Sequence, residues 1–389
     1  MIQTRISGAQ AAALLFLSRM FALLIAPSGG QAGQVGGGLA ALAALGSFLF
    51  QLALFFPGWI LMKRHPGQNF AEAVTGCLGK AGKVVSLILW AVLILLAGMS
   101  AAEFDRFLVS AVYGQAPQML FAVLFLAAAV YGAWLGLEAF GRYAYFGLTI
   151  FLLLAVSLCF SLGGDFQMNE LFAQTSVSVP SFWGTAWGMA AADIEILCFF
   201  LLLPNLRSGE TGEGRTVPAG KRLFFAWNGL YTLTACGFIL LTVGVLGGSP
   251  SEGHNYPFYT LACAAEGQLF ARTDAVHMSM WGVLGLLRCC LLLYCATVCL
   301  RCVATVSSGK NPVTDWISSH RTAVTGIAAF AAAVFSAGSP KVLNMLRSVW
   351  GKGIPLFLLL IILPIISLVA GAVRSSKKEK EGVGHESAL

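Results

Sequence analysis

Trp183-Gly-Thr-Ala-Trp-Gly-Met-Ala-Ala-Ala-Asp193-Ile-Glu195-Ile-Leu-Cys-Phe-Phe-Leu-Leu-Leu-Pro-Asn205 reads as one membrane-crossing segment with two acids near its middle. Roughly 20 apolar residues rising ~1.5 Å each cover a ~30 Å hydrocarbon core, so the length fits. A charge at that depth costs about 2.5–3.5 kcal/mol on insertion scales, so such residues face the protein interior and mark a pathway or a site. Gly184, Gly188, Ala190, Ala191 and Ala192 come just before the acids. Small side chains admit a second helix or a ligand close to the backbone, and glycine tolerates unwinding. A broken membrane helix with polar groups at mid-depth is how many secondary transporters build a substrate site.

Composition agrees with a polytopic membrane protein. The 389 residues are 58% hydrophobic and 11% charged, with mean hydropathy +0.80. The exterior of a soluble chain this size needs more polar surface than that. The net charge of +7 fits Lys and Arg gathered in cytoplasmic loops and calls for no nucleic acid. The first apolar segment is too long for a signal peptide and lacks its cleavage pattern, so it reads as a retained helix. Ten cysteines lie mostly inside apolar runs, which points to packing, with no disulfide or metal site.

Hydropathy predicts an all-α protein of about ten spans, near 7–27, 36–62, 84–110, 118–135, 139–163, 182–205, 221–247, 274–306, 321–338 and 354–373. The stretch 255–268 is too short to span. Basic residues place both termini in the cytoplasm. Arg5, then Lys63, Arg64, Lys80 and Lys83, then Arg142, then Arg207, Arg215, Lys221 and Arg222, then Arg301, Lys310 and Arg321, and finally Arg374, Lys377, Lys378 and Lys380 share one side. The loops around 27–34, 110–117 and 164–180 hold no Lys or Arg, whereas Lys341, Arg347 and Lys352 break the rule on the outside. Five spans form an odd half, so repeated halves would be inverted, with span 6 the counterpart of span 1. The expected division is 1–163 and 182–373 for the two repeats, 164–181 for an external linker and 374–389 for a basic cytoplasmic tail.

Span 1 also carries a mid-depth charge, Arg19, beside Ser18. The planar guanidinium of arginine can hold a carboxylate through two parallel bonds. The sequence therefore predicts Arg19 within ~8 Å of Asp193 or Glu195 when the site is empty, near enough for direct or slightly relaxed hydrogen bonding; the alternative is that it snorkels to the interface. On a regular helix the two acids point about 200° apart. Asp193 follows the small residues and is read as the site acid, or else as a structural ion-pair partner, while Glu195 shares a face with Phe199 and Leu202. The predicted ligand-binding set is Ser18, Arg19, Gly188, Ala192 and Asp193. Arg288 in span 8 is another deep cation without an evident partner. Glu103 and Arg106, with Asp105, read as an outer gate or a solvated cluster, and Glu138 and Arg142 as a local i, i+4 ion pair. Glu195 and Arg288 join these as gate or ion-pair candidates. No catalytic constellation is evident: the five histidines lie mostly in loops or at ends, and there is no His-Glu-x-x-His or phosphate-binding loop. The glycines at 36, 37 and 38 read as close packing.

Several local patterns resemble a known family. Ile6-Ser-Gly-Ala-Gln10 before the first span, Gly136-Leu-Glu-Ala-Phe-Gly-Arg142 entering span 5, and Leu-Leu-Leu-Pro-Asn205 ending span 6 are similar to spore germination permeases of the GerAB type. So are Tyr256-Pro257, Glu266 and Arg272-Thr-Asp274 before Trp281. The likeness is thin but runs over nearly the whole chain. It implies the amino acid/polyamine/organocation superfamily and its LeuT-like five-plus-five inverted repeat. It also implies a B-type subunit of a germinant receptor in the spore inner membrane, partnered by an A-type membrane subunit and a C-type lipoprotein. The ligand would be a small nutrient such as an amino acid, between spans 1, 3, 6 and 8. No cofactor is implied, with coupling to a monovalent cation or a proton as an option. Two departures stand out: Leu17-Ser-Arg-Met20 replaces the glycine usual near the break of span 1, and 146–151 lacks the proline usual in span 5. The other readings are an ion-coupled amino-acid transporter and a structural membrane subunit.

Overall fold

A helix that is apolar on every side has no face to give to water and is driven to the centre of a bundle or into lipid. α1 (Gly8–Leu24) is such a helix, and Ala13 through Met20 are buried without interruption. The structure is a computed structural model that describes residues 5–26, 35–117, 119–172, 178–206, 217–247, 255–265, 273–305, 316 and 319–386. The expected loop at 27–34, the basic residues Arg207, Arg215 and Lys310, and the motif residues Glu266 and Arg272 lie outside them.

The remaining helices are α2 (Gly38–Arg64), α3 (Phe70–Leu78), α4 (Lys80–Ala111), α5 (Leu120–Leu135), α6 (Leu137–Leu162), α7 (Val179–Ala191), α8 (Glu195–Leu202), α9 (Val217–Leu246), α10 (Pro257–Ala264), α11 (Thr273–Thr305), α12 (Arg321–Ala337), α13 (Pro340–Gly351), α14 (Ile354–Phe357) and α15 (Leu363–Glu386). A π-helical turn over Leu358–Ile362 joins the last two. Pro364 follows one residue later, and a proline ring displaces the carbonyl one turn before it, here that of Leu360 within the widened turn. The described residues form no sheet, only one bridge between Ile6 and Leu206.

Among the described residues, seven helical segments are long and apolar enough to cross a membrane, or eight if α12 and α13 count as one bent span. Two shorter apolar helices are α1 and α5. The protein is an integral membrane protein. Two spans run through the middle: 83% of the most apolar stretch of Val179–Asn205 is buried, and 78% of that of Asp274–Val303. The corresponding figure is 28% for Leu137–Leu162, which therefore lies at the rim. α1 packs on α6, α9 and α11, α4 packs on α11 and α12, and α2 packs on α7 and α9.

The described parts of the family-like motifs pack together at the two ends of this bundle. At the end carrying the N-terminus, Ser7 and Gln10 form a capping box that starts α1. The Ile6 N–H donates to the Asn205 carbonyl at 2.9 Å, and the buried Ile6 side chain sits where a Cβ on Gly141 would be 3.3 Å away. Three motifs thus meet at one point. Beneath them, Phe55 stacks on Phe224 with ring centroids 3.9 Å apart and on Phe200 at 5.3 Å. At the opposite end Phe107 is enclosed by Tyr256, Tyr259 and Trp281, with centroids 5.0, 5.4 and 5.6 Å away.

The basic residues that break the loop rule have a structural place. α13 bends 106° away from α12, and its Arg347 Nε donates to Glu103 on α4 at 2.7 Å. Gly353, at φ +74, turns the chain into α14 where a Cβ would lie 2.7 Å from Trp187 and Ala191. Glycine is required there on both grounds. Trp187 Nε1 also donates to the Lys352 carbonyl, which anchors the last turns of α7.

Candidate functional site

α7 ends at Ala191 and α8 begins at Glu195, so the long span is broken at its acids. The break does not use the glycines. Gly184 and Gly188 lie within regular α7, and the turn falls on Ala192, Asp193 and Ile194. The Asp193 N–H reaches back to the Ala190 carbonyl and the Ile194 N–H to the Ala192 carbonyl, while α8 restarts with Leu197 and Cys198 donating to Ile194. This irregularity overturns the expectation that Asp193 and Glu195 point apart. Both turn toward Arg19.

α1, by contrast, is unbroken through Ser18 and Arg19. From this continuous helix Arg19 Nη1 lies 3.1 Å from Asp193 Oδ1 and 4.0 Å from Glu195 Oε2. Its Nη2 donates to the Met189 carbonyl at 2.5 Å, satisfying an acceptor that the ending α7 leaves free. The guanidinium carbon stands 4.6 Å from the centroid of the Tyr231 ring, within cation–π range. Snorkelling is excluded, because Arg19 is 2% exposed.

Arg288, which the sequence left without a partner, completes the cluster. Its Nη1 donates to Glu195 Oε1 and, at 3.0 Å, to the Ser18 carbonyl, and its Nε donates to Ser100 Oγ at 3.1 Å. Ser18 Oγ donates to the same Glu195 oxygen at 2.7 Å. Glu195 is therefore a central member of the cluster. Two carboxylates and two guanidinium groups, each 5% exposed or less, balance to zero charge. Burial on this scale is tolerated only with good pairing and hydrogen bonding.

The pairing is incomplete in one direction. Among the described residues no donor hydrogen-bonds either oxygen of Asp193 or Oε2 of Glu195, and no acceptor serves Arg19 Nε. These orphaned groups concentrate at the break, where Ala190, Ala191 and Gly188 are buried neighbours in sequence. A second pair of orphans lies on α2 and α9. Trp59 packs on Gly220 and Phe55 on Phe224, so antiparallel α2 and α9 bring Gln51 and Asn228 to one level. Both amides are fully buried and without a hydrogen-bond partner among the described residues.

The other candidates stand apart. Glu103 pairs with Arg347, and Arg106 Nη1 donates to Asn344 at 3.4 Å, both joining α4 to α13. Asp105, between them, is buried and accepts from the backbone N–H groups of Met119, Phe121 and Ala122 at 3.0–3.2 Å, capping α5 from another helix. Glu138 and Arg142 form the expected exposed i, i+4 pair. Among the described residues no disulfide is formed, and no group of His, Cys, Asp and Glu could hold a metal ion. Tyr231, Ser100, Gln51 and Asn228 were missed by sequence reasoning. The signal was available: each is a polar group inside an apolar span, and the rule used for mid-depth charges extends to amides and hydroxyls.

A family profile described as spore germination protein matches residues 41–333. This chain belongs to the spore germination permease family. No curated protein matches the sequence. Among solved structures, this permease is similar to Mhp1, a nucleobase-cation-symport-1 family transporter in a closed conformation with bromovinylhydantoin bound. The TM-score is 0.67 at 15% identity, over 93% of this chain and 78% of that one. It is also similar to MhsT in complex with L-phenylalanine, with a TM-score of 0.53 at 16% identity, over 93% and 97% of the two chains. At such identities the likeness is one of fold, the LeuT-type fold of membrane transporters. The family and the fold are those of permeases and not of enzymes.

Proposed function

We propose that this spore permease is the B-type membrane subunit of a germinant receptor. It would span the inner membrane ten times with both termini cytoplasmic, as two inverted five-helix repeats. In this reading it holds a small zwitterionic nutrient, an amino acid, at the break between α7 and α8 and signals to an A-type subunit and a C-type lipoprotein. One observation carries the reading: beyond its ion pair with Arg19, the buried Asp193 carboxylate accepts no hydrogen bond among the described residues, and Nε of the same buried Arg19 has no acceptor there. Acceptors for an ammonium and a donor for a carboxylate then lie within one α-amino acid's reach, and an unpaired buried polar group costs about 1–3 kcal/mol until it finds a partner. Ser18, Gly188 and Ala192 would border the ligand. The packing at both ends supports a state that encloses its ligand from both sides.

The test is equilibrium binding of a labelled amino-acid panel to the full chain in lipid nanodiscs, alone and with the A- and C-type subunits present. Saturable binding of at least one zwitterion is expected, with amines and carboxylic acids lacking the second charge binding at least about tenfold more weakly, a loss of ~1.4 kcal/mol. Absence of binding both alone and with the partners contradicts the reading.

A further inference from the structure

We propose that Arg288 is a built-in counter-cation, filling an oxygen cage that a dissociable monovalent cation would otherwise take, so that the enclosed state needs no sodium or potassium. The inference deepens the reading of the same site, and its test reads without any nutrient.

The cage is drawn from three helices. A backbone carbonyl comes from Ser18 on α1, a hydroxyl from Ser100 on α4 and a carboxylate from Glu195 at the start of α8. The carbonyl and carboxylate oxygens meet Nη1 and the hydroxyl meets Nε of one guanidinium; such oxygens are the donor types of a hard cation, and carbonyls beside broken helices serve that role in transporters. Here a guanidinium tethered to α11 stands among them, 5% exposed. The Ser18 carbonyl lies within an unbroken helix, and a carbonyl oxygen has two lone pairs, so it can accept Arg288 without leaving α1. The charge balance agrees: Arg288 neutralises Glu195 as Arg19 neutralises Asp193. A further mobile cation would add an unbalanced charge to a buried, neutral cluster. A fixed cation also couples α11 to α1 and α8 permanently, where a mobile one would do so only when bound.

The experiment follows the thermal unfolding midpoint of the full chain in nanodiscs, by intrinsic tryptophan fluorescence. Sodium, potassium and choline chloride are compared at equal ionic strength, with and without millimolar guanidinium. The midpoint of the unmodified protein is expected to be the same in all three salts and unmoved by guanidinium. Arg288→Ala should lower it in choline, and guanidinium or sodium should restore at least half of the loss. If Arg288→Ala does not fold, Arg288→Met combined with Glu195→Gln removes both charges and should fold with no cation response. A sodium- or potassium-specific stabilisation of the unmodified protein overturns the proposal, as does an Arg288→Ala loss that no cation repairs, an absence of loss, or a cation response in the double variant.

Discussion

At the scale of the residue, the four charges of the core divide into two pairs of different character. Glu195 is saturated on one oxygen by Ser18 and Arg288, whereas Asp193 has, among the described residues, the ion pair with Arg19 and no hydrogen-bond donor. Removing one partner of a buried pair leaves an uncompensated charge and costs about 3–5 kcal/mol. Glu195→Ala should therefore lower unfolding stability by about that amount. Glu195→Leu together with Arg288→Met should cost less than either single change, because no charge is left alone. Equal or additive losses in denaturant melts would show that the pair is not energetically coupled. Asp105 belongs elsewhere. Its carboxylate caps three N–H groups of α5, so Asp105→Ala should destabilise the fold by about 1.5–3 kcal/mol, the range for hydrogen bonds to a charged group. Nutrient affinity should be unchanged, and a specific loss of affinity would move Asp105 into the site.

At the scale of the element, what the sequence made legible was the charge at mid-depth and hence the pairing of span 1 with span 6. Its limits were local geometry. The small residues before the acids mark the region of the break but not its residues: it falls on Ala192, Asp193 and Ile194, where orphan backbone groups find partners in Arg19 and in a tight turn. Without the break, helical periodicity sends Glu195 to the wrong side. Arg288 could not be paired for the same reason. Glycine marks a different feature in this chain, close helix crossing. A Cβ at Gly98 on α4 would meet Ala333 N at 2.7 Å and Ala332 at 2.8 Å on α12, whereas one at Gly184 meets nothing within 4 Å. Gly98→Ala should thus cost about 1–3 kcal/mol by forcing backbones apart. Gly184→Ala should be neutral or stabilising by up to ~1 kcal/mol through helix propensity. The melting midpoints of the two variants should move in opposite directions, or only that of Gly98→Ala should fall; the reverse order would contradict the crossing.

At the scale of the whole molecule, the site is legible as the meeting of helices far apart in sequence, with segments that carry the family likeness packed together at each end. Those segments place Ile6 against Asn205 and Gly141 at one end, Tyr256 and Trp281 about Phe107 at the other. Of the basic residues at odds with loop charge counting, Arg347 is spent on Glu103 from α13, which bends away from α12. The proposed topology puts both termini in the cytoplasm, so epitope tags at either end should be reached by antibody only after permeabilisation, and a tag beside Lys341 should be reached in intact cells. A terminal tag exposed in intact cells would reverse the topology. The central claim is that the break in the span at 179–205 is the ligand site. Its most direct test is calorimetric titration of the best-binding amino acid into unmodified and Asp193→Asn protein in nanodiscs. The account predicts an affinity loss of at least about tenfold, ~1.4 kcal/mol, with the protein still monodisperse. An unchanged affinity in a folded Asp193→Asn protein would place the ligand elsewhere.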